Sequence, residues 1–410
     1  MDKILFITQY FPPEIGAPQN RLFELASRLK NKGAQISVLT AMPNYPEMIV
    51  KNGYKNKFYF FEEMEGIKIY RSYIFVKKTK SIIFRLLNYF SFVFSSFLTG
   101  LFKTHSYNFI FCESPPIFLG ITAVILSKIK KARLIFNVSD LWPESAEKLG
   151  LVKNKFLLNI TTKLEEFIYK NSFLITGQTQ GIVKNISTRF PQKKVYWLKN
   201  GVEINSLDSV KTNNEWRKQN NFENHDFLLI YAGILGYAQG LETIIYAAEK
   251  LQKYPNIKFL FFGDGPEKSK LVLLKNNLGI NNIYFHMPVS KNEIRQIIKS
   301  VDAAIIPLKK IELFKGAIPS KILEVLALGK PILLGVNGEA RELFINSGNC
   351  GLYFEPENSE ALAENILKLY ESEGLLNQLG NNGNDYIKDN FNSEQIAEDL
   401  WNLLHSNSQP

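Results

Sequence analysis

Two lysines and a glutamate surround one short apolar segment in the second half of the chain. The segment reads FKGAIPSKILEVLALGKPIL and contains Lys315, Lys321 and Glu324. Ammonium groups at a helix N-terminus bind phosphate together with the free backbone N–H groups there. A carboxylate about one turn further on accepts hydrogen bonds from sugar hydroxyls. These residue types favour a nucleotide sugar as the ligand, and the alternative is a solvated loop followed by a surface helix.

The same stretch carries the signals of a short helix. Pro319 suits the first helical turn, where its missing N–H costs nothing. Gly329, followed by Lys330 and Pro331, suits the end of a helix. The pattern predicts a helix over residues 319–328 with the lysines near its N-terminus.

Composition limits the class of protein. The 410 residues are 45% hydrophobic and 21% charged with a net charge of +10, which is typical of a globular protein with an anionic partner. The sequence shows no zinc-finger spacing and no basic-aromatic RNA-binding pattern, so we expect no nucleic acid partner. It also has no His-Glu-x-x-His and no Asp-x-Asp motif, so we expect no metal and no other cofactor.

Strand-like and helix-like segments alternate along the whole chain, which predicts an α/β fold. Apolar runs such as KILFIT, RLIFNVS and FLLIYAG are typical of buried parallel strands, and amphipathic segments separate them. The pattern predicts two doubly wound, Rossmann-like domains, residues 1–200 and 201–384, facing across a ligand-binding cleft beyond the carboxyl ends of the strands. We expect the C-terminal segment 385–410, with a helix over about 385–405, to pack back across the joint.

Glycine-containing turns follow predicted strands in both domains. These turns contain Gly16, Ala17, Gly233, Gly236, Gly263 and Asp264. Small residues let the backbone approach a phosphate closely, whereas Asp264 is as well suited to forming the turn itself.

A Phe-rich segment, residues 77–103, suggests contact with a membrane. Its run between Arg85 and Lys103 is uncharged but contains polar residues such as Asn88, which makes it a poor spanning helix. Basic residues beside a Phe-rich face suit a helix on an anionic membrane surface, and the alternative is a buried helix of the first domain. The N-terminal MDKILFITQYFPPE lacks a cleavage site. We therefore expect a cytoplasmic protein, peripheral on the inner face of the cell membrane.

Six motifs, in chain order, resemble those of family 4 of the glycosyltransferases. They are YFPPEIGAP, DLWPESAEKLG, KNGVE, YAGILGYAQGLE, FFGDGPE and KGAIPSK. The donor motif of the family is a glutamate, seven residues and a second glutamate; Glu324 takes the second place and Gly316 the first. This departure and KGAIPSK are similar to the WbuB-type branch, whose members act in O-antigen and capsule assembly. The resemblance covers essentially the whole chain and implies the two-domain GT-B fold.

The family likeness also implies an activity and a site. The expected enzyme is a retaining glycosyltransferase with a nucleoside diphosphate sugar as donor, UDP as the expected nucleotide, and a polyprenyl-diphosphate-linked saccharide as acceptor. An N-acetylated sugar such as N-acetylfucosamine is one candidate for transfer. The implied donor site consists of Gly16, Ala17, Gly233, Gly236, Gly263, Asp264, Lys315, Gly316, Ile318, Pro319, Ser320, Lys321 and Glu324. Lys321 and Glu324 are also expected to act in catalysis, together with Asp140.

Asp140 has two interpretations. It follows a predicted strand in NVSDLWPES and either accepts the proton of the acceptor hydroxyl or caps a helix. Family members often carry a histidine directly before this acid, where this chain has Ser139.

Further departures from the family keep other functions open. Many relatives carry an arginine and a lysine for the pyrophosphate where this chain has Tyr237 and Gln239, which shifts that role to Lys321 and Lys315. A sugar-nucleotide 2-epimerase of the same fold and a membrane-associated scaffold without catalysis are therefore alternatives. A nicotinamide-dependent oxidoreductase fits worst, because no G-x-G-x-x-G followed by a ribose-binding acid occurs.

Overall fold

A computed structural model describes most of the chain and divides it into two units. The described residues are 1–406 except 15, 80, 146–153, 209 and 211–213, so residues 146–150 of the DLWPESAEKLG motif lie outside them. One unit is Met1–Asn200 with Glu394–Pro410, and the other is Gly201–Ser393. The second unit thus extends beyond the predicted end at residue 384.

The first unit is a sheet covered by helices. Its strands are β1 (Lys3–Ile7), β2 (Gln35–Ala41), β3 (Tyr59–Met64), β4 (Ile67–Ser72), β5 (Phe109–Ser114), β6 (Arg133–Val138), β7 (Leu174–Gly177) and β8 (Val195–Trp197). Before residue 200, the helices described are α1 (Ala17–Asn31), α2 (Ile82–Lys103), α3 (Leu119–Ile129), α4 (Lys155–Asn171) and α5 (Gln180–Arg189). The strand order is β3-β4-β2-β1-β5-β6-β7-β8. Strand order reverses at β1, so the topological switch point lies between β1 and β5.

Alternate residues of each strand face opposite apolar layers, as the strand period of two requires. In β1, Leu5 and Ile7 belong to a cluster that contains Phe92 of α2. Ile4 and Phe6 belong to the cluster on the other face, which contains Leu22 of α1. Burial on both faces explains why these strands read as continuous apolar runs.

The edge strand β3 was not predicted. It pairs antiparallel with β4, whereas the other neighbouring strands pair parallel. Glu65 and Gly66 join the two strands with φ of 49° and 73°, as a two-residue hairpin loop requires. Its residues are exposed or half-buried, so β3 lacks the apolar run from which the other strands were predicted.

The second unit has a smaller, wholly parallel sheet. Its strands are β9 (Phe227–Ala232), β10 (Ile257–Phe262), β11 (Ile283–His286), β12 (Ala303–Pro307), β13 (Ile332–Gly335) and β14 (Gly351–Tyr353). The order β11-β10-β9-β12-β13-β14 puts the switch point between β9 and β12. The described helices are α6 (Ile204–Asp208), α7 (Asn214–Gln219), α8 (Glu242–Lys250), α9 (Lys268–Asn277), α10 (Lys291–Ser300), α11 (Lys321–Ala327), α12 (Glu339–Arg341), α13 (Ser359–Tyr370) and α14 (Glu373–Asn390). Short 3-10 segments at Tyr237–Gln239 and Glu312–Gly316 and a π-helix at Glu342–Ser347 complete it.

The predicted single C-terminal helix is two helices. After α14, a second helix, α15, spans Ser393–His405. Between them, the backbone of residues 391–393 pairs with Val202, which donates to the Phe391 carbonyl and accepts from the Ser393 N–H. That strand-like pairing interrupts the helix, and α15 packs into the core of the first unit through Ile396 and Leu400. Across the described chain, no helix combines the length and the apolarity that crossing a membrane requires.

Candidate functional site

A cavity of about 420 Å³ lies at the switch point of the second sheet, within the usual size range of ligand pockets. The ends of β9, β10 and β12 and one side of α11 form its walls. It brings together Gly233, Gly263, Asp264, Lys321 and Glu324 of the predicted donor site. Gly236 and the predicted residues before Lys321 are not part of its lining.

Lys321 supplies the cation of this cavity. Its Nζ lies 4.0 Å from the centroid of the Tyr231 ring, and among the described residues it forms no ion pair with a carboxylate. Burial lowers its pKa from the ordinary value to about 7, because desolvation disfavours the charged form. An anion in the cavity would offset that desolvation cost.

Glu324 is held by an arginine that was not predicted from the sequence. Arg295 of α10 is buried and donates from Nε to Glu324 Oε1 at 2.5 Å. The pair holds the Glu324 carboxylate in place, Glu324 is part of the cavity lining, and a carboxylate oxygen has more than one lone pair to offer a sugar hydroxyl. In the sequence, Arg295 lies beside isoleucines of an amphipathic segment, and this pattern did not indicate that it pairs with a residue of α11.

The two glycines that line the cavity pack against each other. A Cβ on Gly263 would lie 1.9 Å from the Gly233 carbonyl oxygen, and one on Gly233 would lie 2.8 Å from Lys321 Nζ. Both residues have a φ that side chains disfavour, 143° for Gly233 and 148° for Gly263. Gly263 was predicted to let a ligand approach, but the group that approaches it here is the backbone of the β9 loop.

The remaining turn residues differ in their contacts. Asp264 accepts from the Gly265 N–H at 2.9 Å, as a turn-forming side chain does, although it also borders the cavity. Gly236 has an extended φ of −117°, and a Cβ placed there would have only the Ile234 side chain within 4.0 Å. Its backbone conformation therefore does not require glycine.

The helix near Pro319 is shorter than predicted. It begins at Lys321 and ends at Ala327, with Ser320 as N-cap residue; Pro319 precedes it and accepts from the Ile322 N–H at 3.1 Å. The proline ring and the preceding half-buried Ile318 belong to the connection, not to the helix. The helix predicted at about residues 319–328 is thus present, but it starts two residues later and ends one residue earlier than predicted.

Lys315 and Gly316 lie in the 3-10 segment before this connection. Lys315 is exposed and pairs with Glu312, with 2.9 Å between Nζ and Oε1. Gly316 has open space around the position of a Cβ. Neither residue borders the cavity, so Lys315 does not share the surroundings of Lys321.

In the first unit, a buried polar network occupies the carboxyl edge of the sheet. Arg21 of α1 donates to Glu113 at the end of β5 at 2.6 Å and to Ser139 at 3.2 Å. Asn137 donates to the other Glu113 oxygen at 2.7 Å, and the Ser139 hydroxyl donates to Glu113 as well. Ser139, which takes the place of the family's histidine, is therefore a member of an ion-pair network that was not predicted from the sequence.

Asp140 follows this network and is exposed. Its Oδ2 accepts from the Ser145 hydroxyl at 2.9 Å, a side-chain contact and not a backbone cap.

Gly16 is the N-cap residue of α1, which begins at Ala17. The φ of Gly16 is 174°, an extended value that any residue adopts. Within the described residues, no group of three or more His, Cys, Asp or Glu side chains is arranged to hold a metal ion.

Comparison with known proteins identifies relatives for the whole chain. Residues 212–407 match the family model described as glycosyl transferases group 1. WcaI of Escherichia coli K12, provisionally named a glycosyl transferase of colanic acid biosynthesis, is 26% identical over 376 residues, covering 89% of this chain and 91% of its own.

Two solved structures illustrate the similarity of the fold. The Anabaena HepE protein in complex with UDP and glucose has a TM-score of 0.71 and 20% identity, with 99% of this chain and 100% of that chain covered. Sucrose-phosphate synthase from Thermosynechococcus elongatus has a TM-score of 0.75 and 15% identity, with 99% of each chain covered. The predicted fold class, GT-B with two Rossmann-like sheets, is confirmed.

Proposed function

We propose that this chain is a glycosyltransferase, as the match of residues 212–407 to the model of the glycosyl transferases group 1 supports, and that it transfers a sugar from a nucleoside diphosphate sugar to a saccharide of a cell-surface polysaccharide. The observation that carries the proposal is the cavity at the switch point of the second sheet, with the unpaired cation of Lys321 and the oriented carboxylate of Glu324 in the described part of its lining. The assignment of WcaI to colanic acid biosynthesis supports the cell-surface product.

The donor in this proposal is a UDP-sugar. HepE, which has the same fold, is known with UDP and glucose bound. In our proposal the diphosphate binds at Lys321, and Glu324 accepts hydrogen bonds from the ribose hydroxyls. The ammonium group then stabilises the negative charge that grows on the departing diphosphate in the transition state. We propose no metal, because Lys321 supplies the positive charge that the leaving group needs.

We further propose that the reaction retains the configuration at the anomeric carbon. The bond from this carbon to the diphosphate oxygen breaks while the acceptor hydroxyl forms a bond on the same face, and the departing diphosphate takes the hydroxyl proton. The first glutamate of the family motif is replaced by Gly316, which favours a mechanism without a protein nucleophile at that place. Asp140, exposed and bonded to Ser145, is the proposed residue for orienting the acceptor.

The proposed acceptor is a saccharide on a polyprenyl diphosphate, with an N-acetylated sugar such as N-acetylfucosamine as a candidate for transfer. A surface of the first unit supports a membrane-bound acceptor. One side of α2 packs into the core through Phe92, and the opposite side exposes Ile83, Leu87, Phe90 and Phe94, which are 69%, 48%, 46% and 63% exposed. Their spacing of three or four residues places them on one helical stripe.

The neighbouring helices extend this apolar surface. Helix α3 packs between α2 and α4 and exposes Ile125 and Ile129, and α4 exposes Phe156, Leu157 and Ile160. Lys128 of α3 lies 5.8 Å from the ring of the partly exposed Phe167 of α4. Exposed lysines among apolar side chains suit an anionic lipid surface, so the proposed location is the inner face of the cell membrane.

Transfer is tested by incubating the protein with UDP-, GDP- and dTDP-sugars and a polyprenyl-diphosphate saccharide, with diphosphate release and product configuration as readouts. Lys321→Met should lower kcat by about 10²–10³-fold, and Lys310→Met, a change at an exposed lysine paired with Glu355, should not. Conversion of the donor without an acceptor would indicate an epimerase instead. Binding of lipid without diphosphate release by the wild-type protein would indicate a scaffold.

Membrane binding is tested by sedimentation with vesicles of phosphatidylglycerol and phosphatidylcholine in equal parts. The double variant Ile83→Ser/Phe94→Ser should release the protein, because each change removes an exposed apolar side chain that burial in the interface would stabilise. Leu273→Ser, a change at a residue of the second unit that is 62% exposed, is the matched control. Equal binding of all three proteins would refute this surface.

A further inference from the structure

Lys309 lies in the loop after β12, beside the switch point of the second sheet, although it is not itself part of the cavity lining. It follows the last residue of β12 by two positions, and its backbone N–H donates to the Ala238 carbonyl at 3.0 Å. This hydrogen bond joins the loop after β12 to the loop after β9. Both loops flank the switch point, and residues of β9 and β12 line the cavity there.

The ammonium group of Lys309 is held by an aromatic ring. Its Nζ lies 3.6 Å from the centroid of the Tyr237 ring, and no carboxylate among the described residues forms an ion pair with it. Glu242, which lies within electrostatic range of Lys309, is paired with Lys270 at 2.8 Å.

The loop that carries Tyr237 leaves room for the Lys309 side chain. Gly240 has a φ of 58° and closes the short 3-10 segment that carries Tyr237. A Cβ at Gly240 would lie 3.3 Å from Lys309 Cγ, so a larger residue would crowd the lysine stem. The half-buried stem and the ring together fix the ammonium group on the loop.

Lys309 differs from two nearby lysines, whose charges are compensated by carboxylates. Lys310 pairs with Glu355 at 2.8 Å and Lys315 with Glu312 at 2.9 Å, so their charges are neutralised locally. Lys309 and Lys321 instead each lie against a tyrosine ring, at 3.6 Å and 4.0 Å. A ring attracts a cation without carrying a net negative charge, so neither ammonium group is neutralised by its aromatic neighbour.

We propose that Lys309, held by Tyr237, is a second cation for the diphosphate of the donor. By the family resemblance, Tyr237 and Gln239 take the places of basic residues that serve this purpose in many relatives. In this chain a lysine of another loop would supply the missing charge, and the tyrosine would be its support. This inference rests on the proposed function, because it requires a nucleoside diphosphate in the second unit.

The test compares binding of UDP and of uridine by titration calorimetry in the full chain. Lys309→Met should weaken UDP binding by about 10- to 100-fold, the range for a lost hydrogen bond to a charged group, and leave uridine binding unchanged. Lys310→Met, the adjacent lysine with its own carboxylate partner, should change neither affinity. Unchanged UDP affinity in Lys309→Met would overturn the proposal, and so would an equal loss for both ligands, which would indicate damage to the fold.

Variants of the supporting ring provide a second measurement. Tyr237→Phe should retain the affinity for UDP, whereas Tyr237→Leu should lose part of it, and the loss should be absent when Lys309 is already methionine. Independent losses in the double variant would contradict the role given to Tyr237. A wild-type protein that binds none of UDP, GDP and dTDP would refute the proposed function, and the role of Lys309 with it.

Discussion

Each sheet has a topological switch point, but the charged side chains at the two points differ in whether they have an ion-pair partner. In the first unit, the half-buried Arg21 forms an ion pair with the buried Glu113 of β5, and Asn137 and Ser139 donate further hydrogen bonds to Glu113. In the second unit, Lys321 borders a cavity without a carboxylate partner in the described chain. A paired charge fixes local geometry, whereas an unpaired cation in a cavity retains its attraction for an anion.

The difference also has an energetic side. Burial of a charge without a partner destabilises the folded state, and burial of a well-bonded pair is close to neutral. The lowered pKa of Lys321 is one sign of this cost. The second unit therefore accepts some loss of stability at the place where we propose that the donor binds.

The largest expected difference in stability is between a variant of Arg21 in the first unit and a variant of Lys321 in the second. Arg21→Met leaves Glu113 buried and unpaired, so the free energy of unfolding should fall by about 3 kcal/mol. Lys321→Met removes an unpaired buried cation, so stability should stay the same or rise. Urea denaturation measures the free energy of unfolding of both variants. Where two transitions are seen, each unit is fitted separately.

The double variant Arg21→Met/Glu113→Gln is the control for this experiment. Because it removes the unpaired charge as well, it should recover much of the stability. A large loss of stability in Lys321→Met, equal to that in Arg21→Met, would mean that the two switch points do not differ as described.

The glycines at the two switch points should also respond differently. Gly263→Ala places a Cβ 1.9 Å from the Gly233 carbonyl oxygen at a φ of 148°, and we expect a loss of about 2 kcal/mol in the free energy of unfolding. At Gly16 the backbone is extended, and the nearest atom to a Cβ would be Oε1 of the buried Gln19 side chain at 2.4 Å; a side-chain amide can shift at less cost than a backbone carbonyl. Gly16→Ala should therefore lower the free energy of unfolding by less than Gly263→Ala does, by about 1 kcal/mol, and denaturation curves of equal midpoint for both variants would contradict this contrast.

The pH dependence of UDP binding should give the smallest effect. Lys321 has a pKa of about 7 in the free protein, and a bound diphosphate would raise it, so binding takes up a proton above that pH. Affinity should be level below pH 7 and fall above it, by up to about tenfold per pH unit. Titration calorimetry between pH 7 and 8.5, in buffers of different ionisation enthalpy, measures both the affinity and the proton.

Lys321→Met should remove this pH dependence, whereas Arg21→Met should leave it in place, since Arg21 is not part of the cavity lining. A wild-type affinity that does not change with pH would show that Lys321 is not the group that meets the diphosphate.

The sequence predicted most strands and five of the residues that line the cavity for a local reason. Parallel strands buried on both faces leave apolar runs that are readable without any knowledge of their neighbours. The same holds for Lys321 and Glu324, which lie three residues apart and share one side of a helix. The division of the chain near Asn200 is also visible in the change from one alternating series to the next.

What the sequence missed depends on contacts between distant segments. The hairpin strand β3 has an exposed side, and its signal was the pair Glu65 and Gly66 rather than an apolar run. The C-terminal helix is interrupted because its residues pair with Val202, far away in the chain. A local sign was also present, because Asn390, Asn392 and Ser393 favour helix caps over helix interiors.

By itself, the sequence determined the α/β class, the two series of strands and the presence of cationic and acidic groups around α11, since all three follow from residues that are neighbours in the chain. Only the tertiary structure decided which charges are neutralised. Lys315 and Lys321 lie in the same short segment of the sequence. Lys315 pairs with Glu312, however, whereas Lys321 lies against the Tyr231 ring. The partner of a charged side chain depends on which strands and loops the fold brings together, and this is a property of three-dimensional packing.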